Sequence, residues 1–307
     1  MQQDRSGATV PRLQLVLAAV LFSTGGAAIK ATALTAMQVA SLRSGIAALT
    51  LLMLMPGARR GFSRRSIVIA AAYAATMILF VVANKWTTAA SAIFLQATAP
   101  LYIMLLAPAL LGEPVRRRDV AFVAVMAGGM ALFFLGSHVP AATAPRPAAG
   151  LVAGGLSGLT WALTLMGLRS ASRPQGDPAT AARSARDPLA TSVLLGNAFA
   201  SAACLPFALP LPSMTPQDIV LIVYLGIFQI GVAYVLLTAG IRNVGALAAS
   251  ILLLAEPALS PFWAWIFHGE VPGALSLVGG VIILGATIAR TILDSSRQAE
   301  RPAVASP

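Results

Sequence analysis

The feature that most constrains this chain is a series of apolar blocks, separated by polar gaps that are mostly short. Because roughly 20 apolar residues in a helix span about 30 Å of hydrocarbon, each block is long enough to cross a membrane. In hydrocarbon a helix satisfies its own backbone polar groups, so the blocks favour helices that pack in one bundle. Ten helices are predicted, at residues 13–32, 35–55, 66–84, 89–111, 119–136, 150–168, 190–210, 219–241, 245–267 and 274–292.

The composition agrees with a membrane protein. Of the 307 residues 58% are hydrophobic and 10% are charged, whereas charged residues make up roughly 25% of a soluble domain.

The polar start followed by an apolar block is similar to a signal peptide, but the block is long and no clear cleavage site follows, so we interpret it as a retained helix. With one cysteine, the chain has no internal disulfide, and we expect no metal site and no cofactor.

The net charge of +11 would suggest nucleic acid as a partner of a soluble protein. Here, however, the basic residues fall in alternate gaps without interleaved aromatic residues, which is typical of membrane orientation signals. One side of the membrane would hold Arg5, Arg12, Arg59, Arg60, Arg64, Arg65, Arg116, Arg117, Arg118, Arg169, Arg173, Arg183, Arg186, Arg242, Arg290, Arg297 and Arg301. The other side would hold Lys30, Lys85 and Arg146. The positive-inside rule therefore predicts both termini in the cytoplasm, the lipid bilayer as surroundings and no nucleic acid as partner.

Two parts of the sequence echo each other at an offset of 157 residues. The matched pairs are Pro100 with Pro257, Gly112 with Gly269, Glu113 with Glu270, Gly128 with Gly285, and Lys85 with Arg242. In the first helix of each half, Phe22 aligns with Trp161 at an offset of 139, so about 18 residues were added after the sixth helix. These pairs indicate an internal duplication.

The duplication divides the chain into segments. They are a cytoplasmic N-terminus at 1–12, a first repeat at 13–136, a periplasmic loop at 137–149, a second repeat at 150–292 with a cytoplasmic insertion at 170–188, and a cytoplasmic tail at 293–307. Because each repeat holds five helices, an odd number, the second repeat enters the membrane from the opposite face. The predicted fold is thus all-α, with ten transmembrane helices as two inverted five-helix repeats, a plan typical of secondary transporters.

Four short strings carry a family resemblance: "LFSTGGAAIK" and "ASLRSGIAAL" in the first two helices, and "P…LLGE" and "EP…FHGE" at the ends of the fourth and ninth helices. Over nearly its full length the chain resembles the drug/metabolite transporter superfamily, in particular its EamA-type ten-helix permeases. The resemblance implies inverted repeats, cytoplasmic termini, the bacterial inner membrane, and a central cavity lined mainly by helices 1, 3, 4, 6, 8 and 9. It also implies export of amino acids or other metabolites. The insertion after helix 6 departs from the compact family pattern.

Ionisable residues inside predicted helices are costly and therefore mark candidate sites. At 1.5 Å per residue, Arg43 and Glu256 fall near the middle of the membrane, and we expect each charge to be compensated by the other or by polar groups nearby. They are either fixed structural charges, or Glu256 takes up a proton during the transport cycle. Lys30 lies near the outer end of helix 1, where it either extends to the membrane surface or receives a substrate carboxylate.

Proline interrupts helices 4 and 9 at matching positions, Pro100 and Pro257, and matching breaks in two repeats point to a binding site. A packing kink is the alternative. Polar and aromatic residues, many spaced by three or four along a helix, complete the candidate cavity residues. These are Ser23, Lys30, Tyr73, Phe80, Asn84, Gln96, Trp161, Thr164, Tyr234, Glu256 and Trp263. Such stripes also pack helices together, and this alternative stays open for each residue.

The leading functional hypothesis is a secondary transporter that exports a small metabolite, with an amino acid as one candidate, by alternating access. A multidrug or other solute exporter and a non-transporting membrane subunit are the alternatives. The phosphate-binding pattern GxxxxGK is absent, so this chain is not expected to use ATP directly. No catalytic residue is predicted, because both histidines, His138 and His268, lie at or near loops and no carboxylate pair shares one helix.

Overall fold

The computed structural model describes residues 3–112, 117–136, 144–172 and 187–244, then 249, 252–253 and 255–268, and parts of 273–289. Within these residues the regular structure is helical and no strand occurs. The helices are α1 (Gln3–Ser23), α2 (Gly25–Ala31), α3 (Ala36–Leu54), α4 (Arg64–Trp86), α5 (Ala89–Gln96), α6 (Ala99–Leu111), α7 (Arg117–Gly136), α8 (Pro147–Ser172), α9 (Pro188–Ala208), α10 (Pro216–Tyr224), α11 (Ala233–Ile241) and α12 (Ala255–His268). A 3₁₀ turn at Pro56–Arg59 follows α3, and a π-helical segment at Leu225–Val232 joins α10 to α11.

Helix caps fix where several of these helices begin after a short loop. At the start of α3, the Thr35 side chain accepts a hydrogen bond from the backbone N–H of Gln38, and the Gln38 side chain accepts one from the backbone N–H of Thr35. Ser63 and Ser66 make the same reciprocal pair at the start of α4, and Thr215 begins α10 in the same way. Each pair satisfies backbone N–H groups that the first turn of a helix leaves free.

Seven stretches of the described chain are long and apolar enough to cross a membrane, by length and composition alone. They are Val10–Ala31, Ala36–Leu54, Arg64–Trp86, Ala89–Leu111, Pro147–Ala171, Pro188–Ala208 and Pro216–Ile241. The multi-span membrane architecture predicted from the sequence is thereby confirmed. Helix α7 coincides with the predicted helix 119–136, α12 occupies the second part of 245–267, and 274–292 is described only in pieces, so the count of ten stays a prediction.

Parts of the predicted loops lie outside the described residues. These are 137–143 of the periplasmic loop, 173–186 of the insertion and 293–307 of the tail.

The two halves of the chain pack extensively against each other. The most extensive helix contacts join α4 to α8 and α9 to both α3 and α4. Further contacts join α1 to α11 and α12, and α5 to α8 and α12. Each of these pairs combines a helix before residue 137 with one after residue 143, so the halves form one interleaved bundle.

The bundle has an apolar exterior and a partly polar interior. Large apolar side chains such as Met53, Phe207 and Val220 are exposed on its outside. Polar side chains, among them Thr76 and Asn197, are fully buried inside. A soluble protein would show the reverse distribution, whereas lipid tails solvate exposed apolar side chains.

The two ends of the bundle differ in charge. One end, which we call the arginine-rich end, holds Arg59, Arg60, Arg169 and Arg242. There the 3₁₀ turn after α3 meets the start of α9: Asp187 donates its backbone N–H to Gly57 O over 3.3 Å, and its carboxylate pairs with Arg242. At the lysine end, Lys85 Nζ donates to Thr32 O over 2.8 Å, and Ala33 N–H donates to the Asp218 carboxylate.

Candidate functional site

Predicted helix 4 is broken part-way along its length. Helix α5 ends at Gln96 and α6 begins at Ala99, with Ala97 and Thr98 between them. Pro100 lies in the first turn of α6, where the N–H that proline lacks would have had no intrahelical partner. The proline thus lies at the start of a new helix, and the N–H groups of Ala97 and Thr98 at the break bond back to Ile93 O and Leu95 O.

Two further helices begin or break in a related manner. Helix α12 starts at Ala255, which places Glu256 and Pro257 in its first turn. Between α1 and α2 the chain is interrupted at Thr24, a break that the sequence analysis did not predict. The glycine pair directly after Thr24 is the sequence signal that could have indicated it, since glycine weakens a helix.

The break near Pro100 and the first turn of α12 line one small cavity, which we call the break cavity. Its lining residues are Ile93, Gln96, Ala97, Ala99, Pro100, Trp161, Leu253, Glu256 and Pro257. Pro100 and Pro257 therefore face the same space, although they are far apart in the sequence.

A second cavity shares Gln96, Trp161 and Glu256 with the first, and we call it the central cavity. Its lining residues are Phe22, Arg43, Met77, Phe80, Gln96, Trp161, Gln229, Ile230, Tyr234 and Glu256. Each cavity has a volume of about 20 Å³, room for about one water molecule. Since sites for small molecules enclose about 300 to 1,000 Å³, this conformation is closed around its centre.

Arg43 is the most deeply buried charge of the central cavity, with 1% of its surface exposed. Its Nη2 donates to Met77 O over 3.2 Å and contacts the Met77 sulfur at 3.6 Å. Its Nε and Nη1 have no hydrogen-bond partner among the described residues. Glu256, 8% exposed, lines the same cavity, but within the described part of the chain no ion pair joins it to Arg43.

Gln229 lines the central cavity and was missed by the sequence analysis. It lies on the π-helical segment, whose wider turn is a feature frequently found at functional sites. Glycine allows this segment to approach α3 closely: a Cβ on Gly226 would lie 2.6 Å from the Ile46 side chain, and one on Gly231 would lie 2.6 Å from that of Thr50. The amide oxygen of Gln229 is buried and has no partner among the described residues.

Aromatic rings close one side of the central cavity. The Tyr234 ring lies 4.8 Å from that of Tyr73, 5.1 Å from that of Phe22 and 6.3 Å from that of Trp161, all between ring centroids and edge-to-face. Asn197 donates to the Tyr73 hydroxyl over 2.8 Å, which fixes that ring. Edge-to-face pairs of this kind stabilise packing beyond the area that they bury.

The break after α1 is held by α12. Ser260 Oγ donates to Ser23 O over 3.1 Å, and Trp263 Nε1 donates to Ser23 Oγ over 2.9 Å. The Thr24 hydroxyl also lies 2.8 Å from that of Tyr224 in α10. Ser23 and Trp263 thus join two helices beside the central cavity and line neither cavity themselves.

Of the remaining sequence candidates, some reach a cavity and others do not. Phe80 lines the central cavity, and Gln96 also donates to Ser157 in α8 over 3.0 Å. The side chains of Asn84 and Thr164 are buried and donate within their own helices, Asn84 to Phe80 O and Thr164 to Thr160 O. Lys30 is only half-buried, near the end of α2, and lines neither cavity.

A wider opening lies at the arginine-rich end of the bundle, and we call it the vestibule. Its volume is about 640 Å³, a size suited to a small-molecule ligand. It is lined by residues from α1, α3, the 3₁₀ turn and α11, together with the Asp187–Arg242 ion pair. Thr238 on its wall is one helical turn from Tyr234, which lines the central cavity.

Comparison with known proteins decides the family. The model of the EamA-like transporter family matches residues 12–135 and again residues 148–291, which together make up most of the chain. The chain belongs to the EamA-like transporter family. The resemblance noted in the sequence is therefore confirmed.

Two further comparisons bear on this EamA-like transporter. The "Uncharacterized transporter YdfC" of Bacillus subtilis (strain 168) is 41% identical over 64 residues, which is 21% of this chain and 21% of that protein's own length. A solved structure described only as "Crystal structure of protein" superposes with a TM-score of 0.69 and 20% sequence identity, over 95% of this chain and 99% of the other. At that identity the likeness shows the fold alone.

The site of this EamA-like transporter has the chemistry of a binding cavity. Among the residues that the structure describes, no group of three or more His, Cys, Asp or Glu side chains converges to hold a metal ion. The cavities instead offer one cation, one carboxylate, two amides and aromatic rings. These groups can bind and orient a polar solute.

Proposed function

We propose that this protein is a secondary transporter that exports a small metabolite across the bacterial inner membrane by alternating access. An amino acid is one candidate for its substrate. The observation that carries the proposal is the closed central cavity, in which Arg43 and Glu256 are buried where interrupted helices from both halves meet. Charged groups buried inside a bundle with an apolar exterior are costly, and a solute-binding role accounts for their presence.

The proposed architecture is ten transmembrane helices in two inverted five-helix repeats, with both termini in the cytoplasm. Interleaved packing of the halves, and helix breaks at residues related by the 157-residue offset, support it. The arginine-rich end then faces the cytoplasm, as the positive-inside rule requires. The vestibule would be the cytoplasmic entrance, and the aromatic rings around Tyr234 would separate it from the central cavity.

The transporter proposal is tested by counterflow in proteoliposomes that contain the purified protein, with a broad panel of radiolabelled metabolites. We expect concentration-dependent exchange of at least one class of solute. This exchange should be abolished when the liposomes are not preloaded with that solute. Protein-free liposomes and liposomes that hold a different membrane protein are the controls. The absence of exchange for every class would contradict the transporter proposal and favour a non-transporting subunit.

Proton coupling through Glu256 is the second part of the proposal. Burial disfavours a free carboxylate, so this side chain is suited to take up a proton in one state of the cycle and release it in another. In the Glu256→Gln variant we expect net flux driven by a pH gradient to be lost while counterflow is kept. If both rates and their pH dependence equal those of the parent, Glu256 carries no proton.

A multidrug exporter is the second candidate. Glu256 shares the central cavity with the rings of Phe22, Trp161 and Tyr234, an arrangement that also suits an apolar cation. The same panel, with organic cations included, separates the two candidates. Exchange of cations alone would favour the drug exporter.

A further inference from the structure

The sequence left open whether Lys30 extends to the membrane surface or receives a substrate carboxylate, and the structure offers a different cation for that carboxylate. Lys30 lies near the lysine end, half-buried and away from both cavities. Arg43 lines the central cavity, and two of its three guanidinium nitrogens have no partner among the described residues. We infer that Arg43, assisted by Gln229, is the binding site for a carboxylate group of the transported solute, an inference that rests on the proposed transport function.

Burial is the first step of the argument. A cation removed from water is destabilised unless hydrogen bonds or an opposite charge compensate it. One nitrogen of Arg43 donates to Met77 O, which satisfies only part of the guanidinium. The other two nitrogens are free to donate to a ligand, and a carboxylate supplies both the acceptors and the opposite charge.

Gln229 supports the same conclusion from a different helix. Its buried amide oxygen has no partner among the described residues, and a Cβ on Gly25 would lie 2.6 Å from its amide nitrogen. The amide is thus held between the break after α1 and the central cavity. Because an amide both donates and accepts hydrogen bonds, Gln229 can bind the carboxylate or a donor next to it.

Glu256 limits what such a solute can carry besides its carboxylate. With Arg43 charged, a bound carboxylate and an ionised Glu256 would leave one excess negative charge in the cavity. A solute with an ammonium group would balance this charge, whereas a monoanion would require a protonated Glu256. The expected substrates are therefore zwitterions, or monoanions carried together with a proton.

The experiment compares matched solutes in counterflow. For a carboxylate-bearing solute that the panel identifies, its carboxamide analogue is tested against the parent protein, Arg43→Gln, Arg43→Lys and Gln229→Leu. The control is Arg59→Gln, because Arg59 is an exposed arginine that lines neither cavity and donates to Leu52 O near the end of α3. Each variant is first shown to purify as a monodisperse protein.

In the parent we expect the carboxamide to compete at least tenfold more weakly than the carboxylate. Arg43→Gln should raise KM for the carboxylate at least tenfold and leave KM for the carboxamide within twofold, with smaller increases in Arg43→Lys and Gln229→Leu. Arg59→Gln should change neither value.

Equal competition by the two solutes in the parent would overturn the inference even if no Arg43 variant folds. So would an equal rise of KM for both solutes in Arg43→Gln, which would indicate a structural role through Met77. In either case the transporter proposal stands, because exchange itself is observed. A panel with no exchange at all would overturn both.

Discussion

Gly158 shows how a single residue determines the shape of a helix break. It lies on α8, where a Cβ would be 2.6 Å from Leu95 O and 2.7 Å from Thr98 Oγ1, both at the break between α5 and α6. A contact with backbone cannot be relieved by rotating a side chain. Gly155, one turn earlier on the same helix, has open space around its Cβ position.

We therefore expect Gly158→Ala to destabilise the protein by about 1–3 kcal/mol, the usual cost of overpacking. Gly155→Ala should be neutral or slightly stabilising, because alanine is the better helix former. Thermal unfolding in detergent, followed by fluorescence, would measure both. Equal melting temperatures for the two variants would mean that α8 does not approach the break closely.

At the scale of elements, the break between α5 and α6 offers a direct test of proline's role. In Pro100→Ala the new N–H could bond to Gln96 O, four residues earlier, and join the two helices into one. We expect the variant to keep or raise its melting temperature and to lose at least tenfold in counterflow rate. Pro108→Ala is the matched control, since Pro108 is an exposed proline inside α6. The same rate in both variants would contradict a role for the break in transport.

The start of α9 combines two stabilising contacts in one side chain. Asp187 caps the helix by accepting from Ala190 N–H over 3.3 Å, and it pairs with Arg242 at the end of α11. Asn would keep the cap but lose the ion pair, whereas Ala would lose both.

An N-terminal cap contributes about 1 kcal/mol, and an exposed ion pair about 0.2–1 kcal/mol. The melting temperature should therefore fall little in Asp187→Asn and further in Asp187→Ala, and Arg242→Gln should match Asp187→Asn. A double variant of Asp187→Asn and Arg242→Gln would isolate the energy of the pair. If Asp187→Asn were as damaging as Asp187→Ala, the ion pair and not the cap would dominate.

At the scale of the whole molecule, the charge difference between the two ends predicts the orientation. In a Cys204→Ser background, Phe62→Cys would label the arginine-rich end and Ala33→Cys the lysine end, both at exposed positions. An impermeant maleimide added to intact cells should modify Ala33→Cys at once and Phe62→Cys only after the membrane is permeabilised. The reverse pattern would place the arginine-rich end outside and contradict the positive-inside prediction.

Length and hydrophobicity determined the membrane architecture from the sequence alone. A long block of apolar residues favours a helix in lipid, because a helix satisfies its own backbone hydrogen bonds there. Proline acts locally as well, so the break next to Pro100 could be predicted from the sequence. The family could also be recognised, because its characteristic strings are short stretches of adjacent residues.

Only the tertiary structure decided which side chains share a cavity. Arg43 and Glu256 lie on helices from different halves, and their approach depends on how those halves interleave. Gln229 reaches the centre because a π-helical segment packs through glycines onto α3, and no local pattern predicts that helix form. Lys30 lies near the end of helix 1 where the sequence placed it, but it lines neither cavity, because position along a helix predicts depth and not which neighbours a residue meets.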